Sequence, residues 1–260
     1  MAAANLGKVS RGAEQLTSSL GQYGDLARKM KEARIEDDIL NEDNSAVAQL
    51  KLSLEYFRNG ITRSSVISYD GDFDNHSPDD AKEQSEEFTK LSADIAAILQ
   101  TLKDTPYDDK RSFFDLTTLM VASEFSRTMR QQQLPIDATG TDHNPLNNSF
   151  IFAGKGIQGD MVIGSSDFMS ETENLSAAHL ALDPDRLKCM GRPFDFATGL
   201  SKPVVPNSYS IHDYLNAPSV INTVYSLFSR STGVDLLAGN ALKIDRNTVV
   251  APVVEQLLKL

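Results

Sequence analysis

Three short polar segments, each set beside an apolar stretch, hold the residues of this chain that could do chemistry. They are Gly71-Asp72-Phe73-Asp74-Asn75-His76, Ser123-Glu124-Phe125-Ser126-Arg127-Thr128 and Gly140-Thr141-Asp142-His143. Two of the four histidines lie in them, each near an aspartate. Carboxylate and neutral imidazole both present a lone pair at neutral pH, and are the donors that hold zinc, manganese and similar ions. The two-residue period of an extended chain would put Asp74 and His76 on one side, which is chelating geometry. An Asp-x-His triplet is a weak signal alone. Three such segments in one chain point to metal-assisted hydrolysis of phosphate-like or sulfate-like esters.

Other candidates read as structural. His179 sits in the apolar run Ser176 to Leu180, and His212 lies near a helix start, where packing and turn hydrogen bonds are the ordinary roles. Gly154-Lys155-Gly156 is followed by no Gly-Lys-Ser/Thr, so a tight turn is favoured over a phosphate loop. No Gly-x-Ser-x-Gly elbow is present, which argues against an α/β-hydrolase. Cys189 is the lone cysteine, which excludes an internal disulfide and a cysteine-rich zinc module.

The elements that must position the three segments follow from periodicity. Leu16, Leu20, Tyr23, Leu26, Ala27 and Met30 recur at helical steps. Asn44 or Ser45 could cap a second helix with face Val47, Leu50, Leu54 and Phe57, ended by Asn59-Gly60. Val66 to Tyr69 is a short β-prone run delivering the first polar segment. Ser77-Pro78 opens a long helix with face Phe88, Leu91, Ile95, Ile98, Leu99 and Leu102, left at Pro106. Residues 117–122, 148–153 and 161–164 read as strands, the first of them apolar on both faces as inside a parallel sheet. Residues 165–217 lose periodicity and read as an irregular, lid-like insertion or as surface loop. Helical spacing returns from Pro218 to Arg230, and a last helix is expected over Pro252 to Leu260. The alternation predicts an α/β fold: a largely parallel sheet with right-handed crossovers, flanked by helices. Ligands in such sheets collect beyond the carboxyl ends of strands. The expected division is a helical segment over residues 1–62 packing on an α/β core over 63–260.

With 260 residues the chain can bury one sizeable core. The formal net charge is −11 and no Lys/Arg cluster interrupts it, so nucleic-acid binding by phosphate neutralisation is excluded as a leading function. The acidic stretch from Asp70 to Glu87 is either a solvated face or a rim that attracts cations. No apolar stretch is long enough to span a bilayer, and the N-terminal residues show no export signal.

Order and context are more specific than any one triplet. The run from Leu50 through Asn59-Gly60-Ile61 to Gly71-Asp72-Phe73-Asp74-Asn75-His76 resembles the Gly-(Trp/Phe)-Asp-Thr-His element of the DUF1501 family, of the alkaline phosphatase/sulfatase-like superfamily. Residues Thr118 to Thr128 look like its Thr-Leu-Val-Val-x-Ser-Glu-Phe-Gly-Arg-Thr strand and turn. Gly140 to Pro145 is similar to its Gly-Arg-Asp-His-Trp-Pro element, with Thr141 and Asn144 replacing an arginine and an aromatic. The late helix from Val220 to Asp235 is a looser match.

The resemblance implies that Asp74, His76 and His143 are ligands of one divalent metal (zinc, manganese or calcium), with Asp142 beside them. It implies that Glu124 stands where the superfamily places an acidic ligand of a second metal, while Phe125 occupies a position often held there by histidine. Arg127 would hold an ester oxyanion, pair with Glu124, or cap backbone carbonyls. The family's opening strand carries an acidic ligand and, in active phosphatases and sulfatases, the nucleophile. It has no counterpart in this sequence before Asp70. The resemblance therefore implies an alkaline phosphatase-like sheet incomplete at its N-terminal side, and little turnover by this chain alone. It implies either a hydrolase completed by a second polypeptide or by self-association, or a non-catalytic binding or structural component that assembles with a partner chain. Family members usually carry an export signal, which implies an exported or periplasmic setting; the residues themselves leave the cytoplasm open.

Overall fold

The computed structural model describes residues 21–31, 45–74, 76, 80–127, 143–144, 147–168, 189–203, 205, 208–244 and 249–259. Two compact units form: one from Met1–Gly71 and Phe88–Phe113, the other from Asp72–Glu87 and Phe114–Leu260.

The first unit holds helix α1 (21–31), helix α2 (Ala46–Arg58) and residues 88–104 of helix α3 (Asp80–Asp104). Ser45 starts α2 by accepting a hydrogen bond from Ala48 N–H at 3.2 Å, which satisfies one of the donors a helix start leaves over. Ala46, Leu50 and Leu54 then fall on one face and are buried. The chain leaves the helix at Asn59-Gly60, where Gly60 takes φ 63°. Residues 64–70 form no strand. Instead the Gln49 amide donates to Ser68 C=O and accepts from Ser68 N–H, both at 3.0 Å, and so replaces the partner strand. Ile98 and Leu102 of α3 are buried, and Phe113 meets Tyr107 edge-on at 5.4 Å.

In the second unit every described strand pair is antiparallel and two-stranded. Strand β1 (Thr118–Val121) pairs with β4 (Ile151–Gly154), Thr118 opposite Gly154 and Val121 opposite Ile151. Strand β2 (Ser126–Arg127) pairs with β3 (His143–Asn144). Strand β5 (Ser166–Phe168) pairs with β6 (Cys189–Gly191), and β7 (Phe194–Asp195) with β8 (Leu200–Ser201). The expected parallel arrangement is therefore absent among the described residues. Met120 and Ile151, 44% and 50% exposed, show that β1 and β4 are not covered on both faces. An apolar run of four residues looks the same in sequence whether its sheet is parallel or antiparallel.

Two further expectations change. Residues 161–164 form no strand, Gly164 taking φ 77°, and the strand falls instead at Ser166–Phe168. The expected C-terminal helix is one 3-10 turn at Glu255–Leu257, because backbone groups around it bond elsewhere. Val254 N–H donates to Thr223 Oγ1 at 2.9 Å, Gln158 N–H to Leu257 C=O, and Lys259 N–H to Gly156 C=O. This strand-like stitching places Leu258 against Ile157 and Leu227 in a small core flanked by Phe152 and Val253. Helix α4 (Ala217–Thr232) matches the expected element, capped by Asn216 at its start and by Gly233 at φ 72° at its end. The stretch expected to be irregular carries the β5–β6 and β7–β8 ladders and buries Phe194 to 1% exposure, edge-on to Phe196 at 4.9 Å.

Candidate metal centre

Two pieces of the second unit build the site. The short β2–β3 ladder sets Arg127 directly opposite His143. Ser126 N–H donates to Asn147 C=O at 3.1 Å, and Asn144 is fully buried, so the ladder is pinned from behind. The turns at either end are tied together: Asn148 Nδ2 donates to Ser123 C=O at 2.6 Å, and Ser123 Oγ donates to Asn148 Oδ1 at 3.1 Å. The second piece is the segment around Asp74. Asp74 N–H lies 3.4 Å from Asp72 Oδ1, a local turn that projects the Asp74 carboxylate outward.

The two pieces meet at one oxygen. Asp74 Oδ1 lies 2.9 Å from His76 Nε2, 3.2 Å from His143 Nε2 and 2.8 Å from Arg127 Nη1. One ligand atom from each of Asp74, His76 and His143 falls within 4.8 Å of the others. The imidazoles face each other, centroids 5.2 Å apart and tilted by 53°. Phe125 packs against His143, centroids 4.3 Å apart and tilted by 33°. The three candidate ligands are open to solvent, at 68% for Asp74 and 49% for each histidine, whereas Arg127 is only 13% exposed. Hydrogen bonds from His143 and then Arg127 hold the Asp74 carboxyl below its ordinary range, so it is a full carboxylate at neutral pH.

The donor set fits a small transition metal. Two ligand atoms placed roughly 2.0–2.1 Å from a tetrahedral centre are roughly 3.3–3.4 Å apart, close to the separations found between Asp74 and each imidazole. Two nitrogens and one oxygen suit zinc or manganese better than calcium, which takes six or more oxygens. Three protein donors leave at least one position, on the solvent side, for water or an ester oxygen.

Of the residues singled out from sequence, Asp74, His76 and His143 are brought together. Glu124 is exposed and stands outside this cluster, and Asp142 and His179 lie outside the described residues. Arg127 pairs with Asp74, a partner none of the sequence readings named. Phe125 and the Ser123–Asn148 clasp also escape sequence reasoning; no spacing rule announces a ring stacked on a histidine far along the chain. Compared with known families, residues 5–188 match the one described as "Protein of unknown function (DUF1501)". No curated protein and no solved structure matches.

Proposed function

This chain belongs to the DUF1501 family, and from that premise we propose that it binds a divalent transition metal through Asp74, His76 and His143, as a relative of metal-dependent phosphoric and sulfuric ester hydrolases. The observation that supports this is the convergence of Asp74 and His143, 69 positions apart in sequence, on a single exposed point together with His76. The alkaline phosphatase-like sheet, the exported setting and the need for a partner chain or self-association belong to the same proposal, by family resemblance. No helix among the described residues is long and apolar enough to cross a membrane.

Each residue has a task. Asp74 supplies charge, the two imidazoles supply neutral nitrogen donors, and Phe125 keeps the His143 ring from turning away. A metal held there would supply Lewis-acid polarisation of an ester oxygen and an acidified water. Arg127 places a permanent positive charge beside the open side of the site, where an ester oxyanion would lie. A second reading is favoured by the 2.8 Å Arg127–Asp74 pair: Asp74 serves as a structural counter-ion that ties its segment to the β2–β3 ladder, in a non-catalytic component that assembles with a partner.

Zinc titration of the purified chain separates the two. On the metal reading zinc binds with a defined stoichiometry, and His76→Ala and His143→Ala each weaken it by at least about tenfold, the loss ordinarily seen even for groups that only support a ligand. Zinc binding that ignores both substitutions would leave the structural reading. Turnover of 4-nitrophenyl phosphate or sulfate with added zinc or manganese is expected to be slight; ready turnover would show that the chain is an enzyme without a partner.

A further inference from the structure

Asp74 Oδ1 is the meeting point of one guanidinium and two imidazoles. Three nitrogens lie within 3.2 Å of it, from Arg127, His76 and His143, while a carboxylate oxygen offers two lone-pair directions. A cation shared by Asp74 and both imidazoles takes over one of those directions and replaces the two histidine contacts. The guanidinium does not leave with them. It is fixed on β2 opposite His143 and is 13% exposed, so it cannot swing into solvent as a surface lysine would. A double and a single positive charge must then sit side by side on the same carboxylate.

We infer that Arg127 is a built-in counter-cation of the metal centre: it neutralises Asp74 when no ion is bound, opposes cation entry, and stops opposing it when an oxyanion occupies its donor fork. Cation and oxyanion binding therefore reinforce each other, and by linkage each raises the affinity of the other by the same factor. The inference rests on the metal reading above. It adds the coupling: a surface of net charge −11 becomes attractive to an oxyanion only where metal and Arg127 stand together, so the oxyanion is taken up with the ion. The exposed sides of Asp74 and of the two imidazoles leave room for it.

The test is calorimetric titration of the full chain with zinc in chloride and in sulfate at matched ionic strength, on the parent and on Arg127→Gln and Arg127→Lys. Sulfate is expected to tighten zinc binding by the parent roughly threefold or more. Arg127→Gln is expected to bind zinc in chloride roughly fivefold to thirtyfold more tightly, the Coulomb range for a positive charge about 4 Å from a single or double charge in water, and to lose the sulfate effect. Arg127→Lys keeps the charge and therefore keeps the weaker zinc binding. A parent protein indifferent to sulfate overturns the inference, as does an Arg127→Gln variant with an unchanged melting temperature and weaker zinc binding. If that variant does not fold, the response of the parent to sulfate decides alone. Zinc bound by the parent and lost in His143→Ala, with no response to sulfate, defeats the counter-cation only. Absence of zinc binding in both salts defeats the metal reading as well.

Discussion

A ligand is useful only if it is held in place, and at the residue scale that burden falls on Phe125. Its ring lies 4.3 Å from that of His143 at an angle of 33°, a tilted aromatic contact of the kind worth about 0.5–1.5 kcal/mol beyond simple burial. His143 is half exposed and sits on a ladder of two residues. Phe125→Ala is expected to lower zinc affinity by roughly twofold to tenfold and to broaden the imidazole resonances of His143, while Phe125→Tyr preserves both. Unchanged affinity and sharp His143 signals in the alanine variant would show that the ring does not orient the ligand. Asp74, His76 and His143 are legible because metal chemistry restricts ligand types and the motif order restricts their context. Phe125 on His143, Arg127 on Asp74 and the Asn148–Ser123 clasp are contacts between ordinary residues, and nothing in type or spacing marks them.

At the scale of elements, helix α4 carries the second unit by an unexpected face. Its apolar periodicity through Val220, Val224 and Leu227 is visible in sequence, yet Ser219, Asn222, Thr223 and Ser226 are also buried. Asn222 Nδ2 donates to Ala251 C=O at 2.7 Å and to Leu242 C=O at 3.0 Å, and its Oδ1 accepts from Leu242 N–H at 2.7 Å. Thr223 Oγ1 donates to Ser219 C=O and accepts from Val254 N–H. The helix thus supplies side-chain partners to backbone that would otherwise be buried without any. This is why residues 251–258 need not form the helix their composition suggests: their polar groups are already engaged. Asn222→Ala takes the partner from Leu242 N–H and Ala251 C=O, while Leu242 C=O keeps its bond from Ala251 N–H at 2.9 Å; it is expected to cost about 2–4 kcal/mol, and Thr223→Val about 1–3 kcal/mol. Urea unfolding, read through hydrogen exchange within α4, measures both; losses below about 0.5 kcal/mol would mean that water takes over the bonds. Caps and helical steps were readable because they act over three or four residues. Strand partnership acts at a distance: the apolar run marks β1 as a strand, while its antiparallel pairing with β4 among the described residues has no signal in the run itself.

For the whole molecule the governing quantity is charge. A net −11 with an isoelectric point near 4.8 means that carboxylates dominate the surface, and several of them are tied down. Backbone N–H donation from Ala197 and the Thr198 hydroxyl hold Asp195 below its ordinary range. The Ser210 backbone N–H, at 2.9 Å, does the same for Asp213 as part of a capping box. Asp25 and Asp108, each bonded first by an arginine side chain, are lowered too. A depressed carboxyl stabilises the fold fully above the unfolded value of about 3.9; that contribution drains away as pH falls through the lower folded value, because the unfolded chain then binds more protons than the native one. Mutual repulsion acts in the other direction, since it weakens as pH falls from neutrality towards the isoelectric point. The two effects hand over near pH 4 to 5. Stability is therefore expected to be flat or slightly rising from pH 7 to about 5, solubility to be lowest near 4.8, and unfolding to set in steeply only below about 3.9. Asp195→Asn and Asp213→Asn should each flatten that acid limb while leaving the slope between pH 5 and 7 unchanged, which melting temperatures recorded across the range will show. An acid limb equally steep in both variants would assign the loss to global charge alone and remove these hydrogen-bonded aspartates from the account.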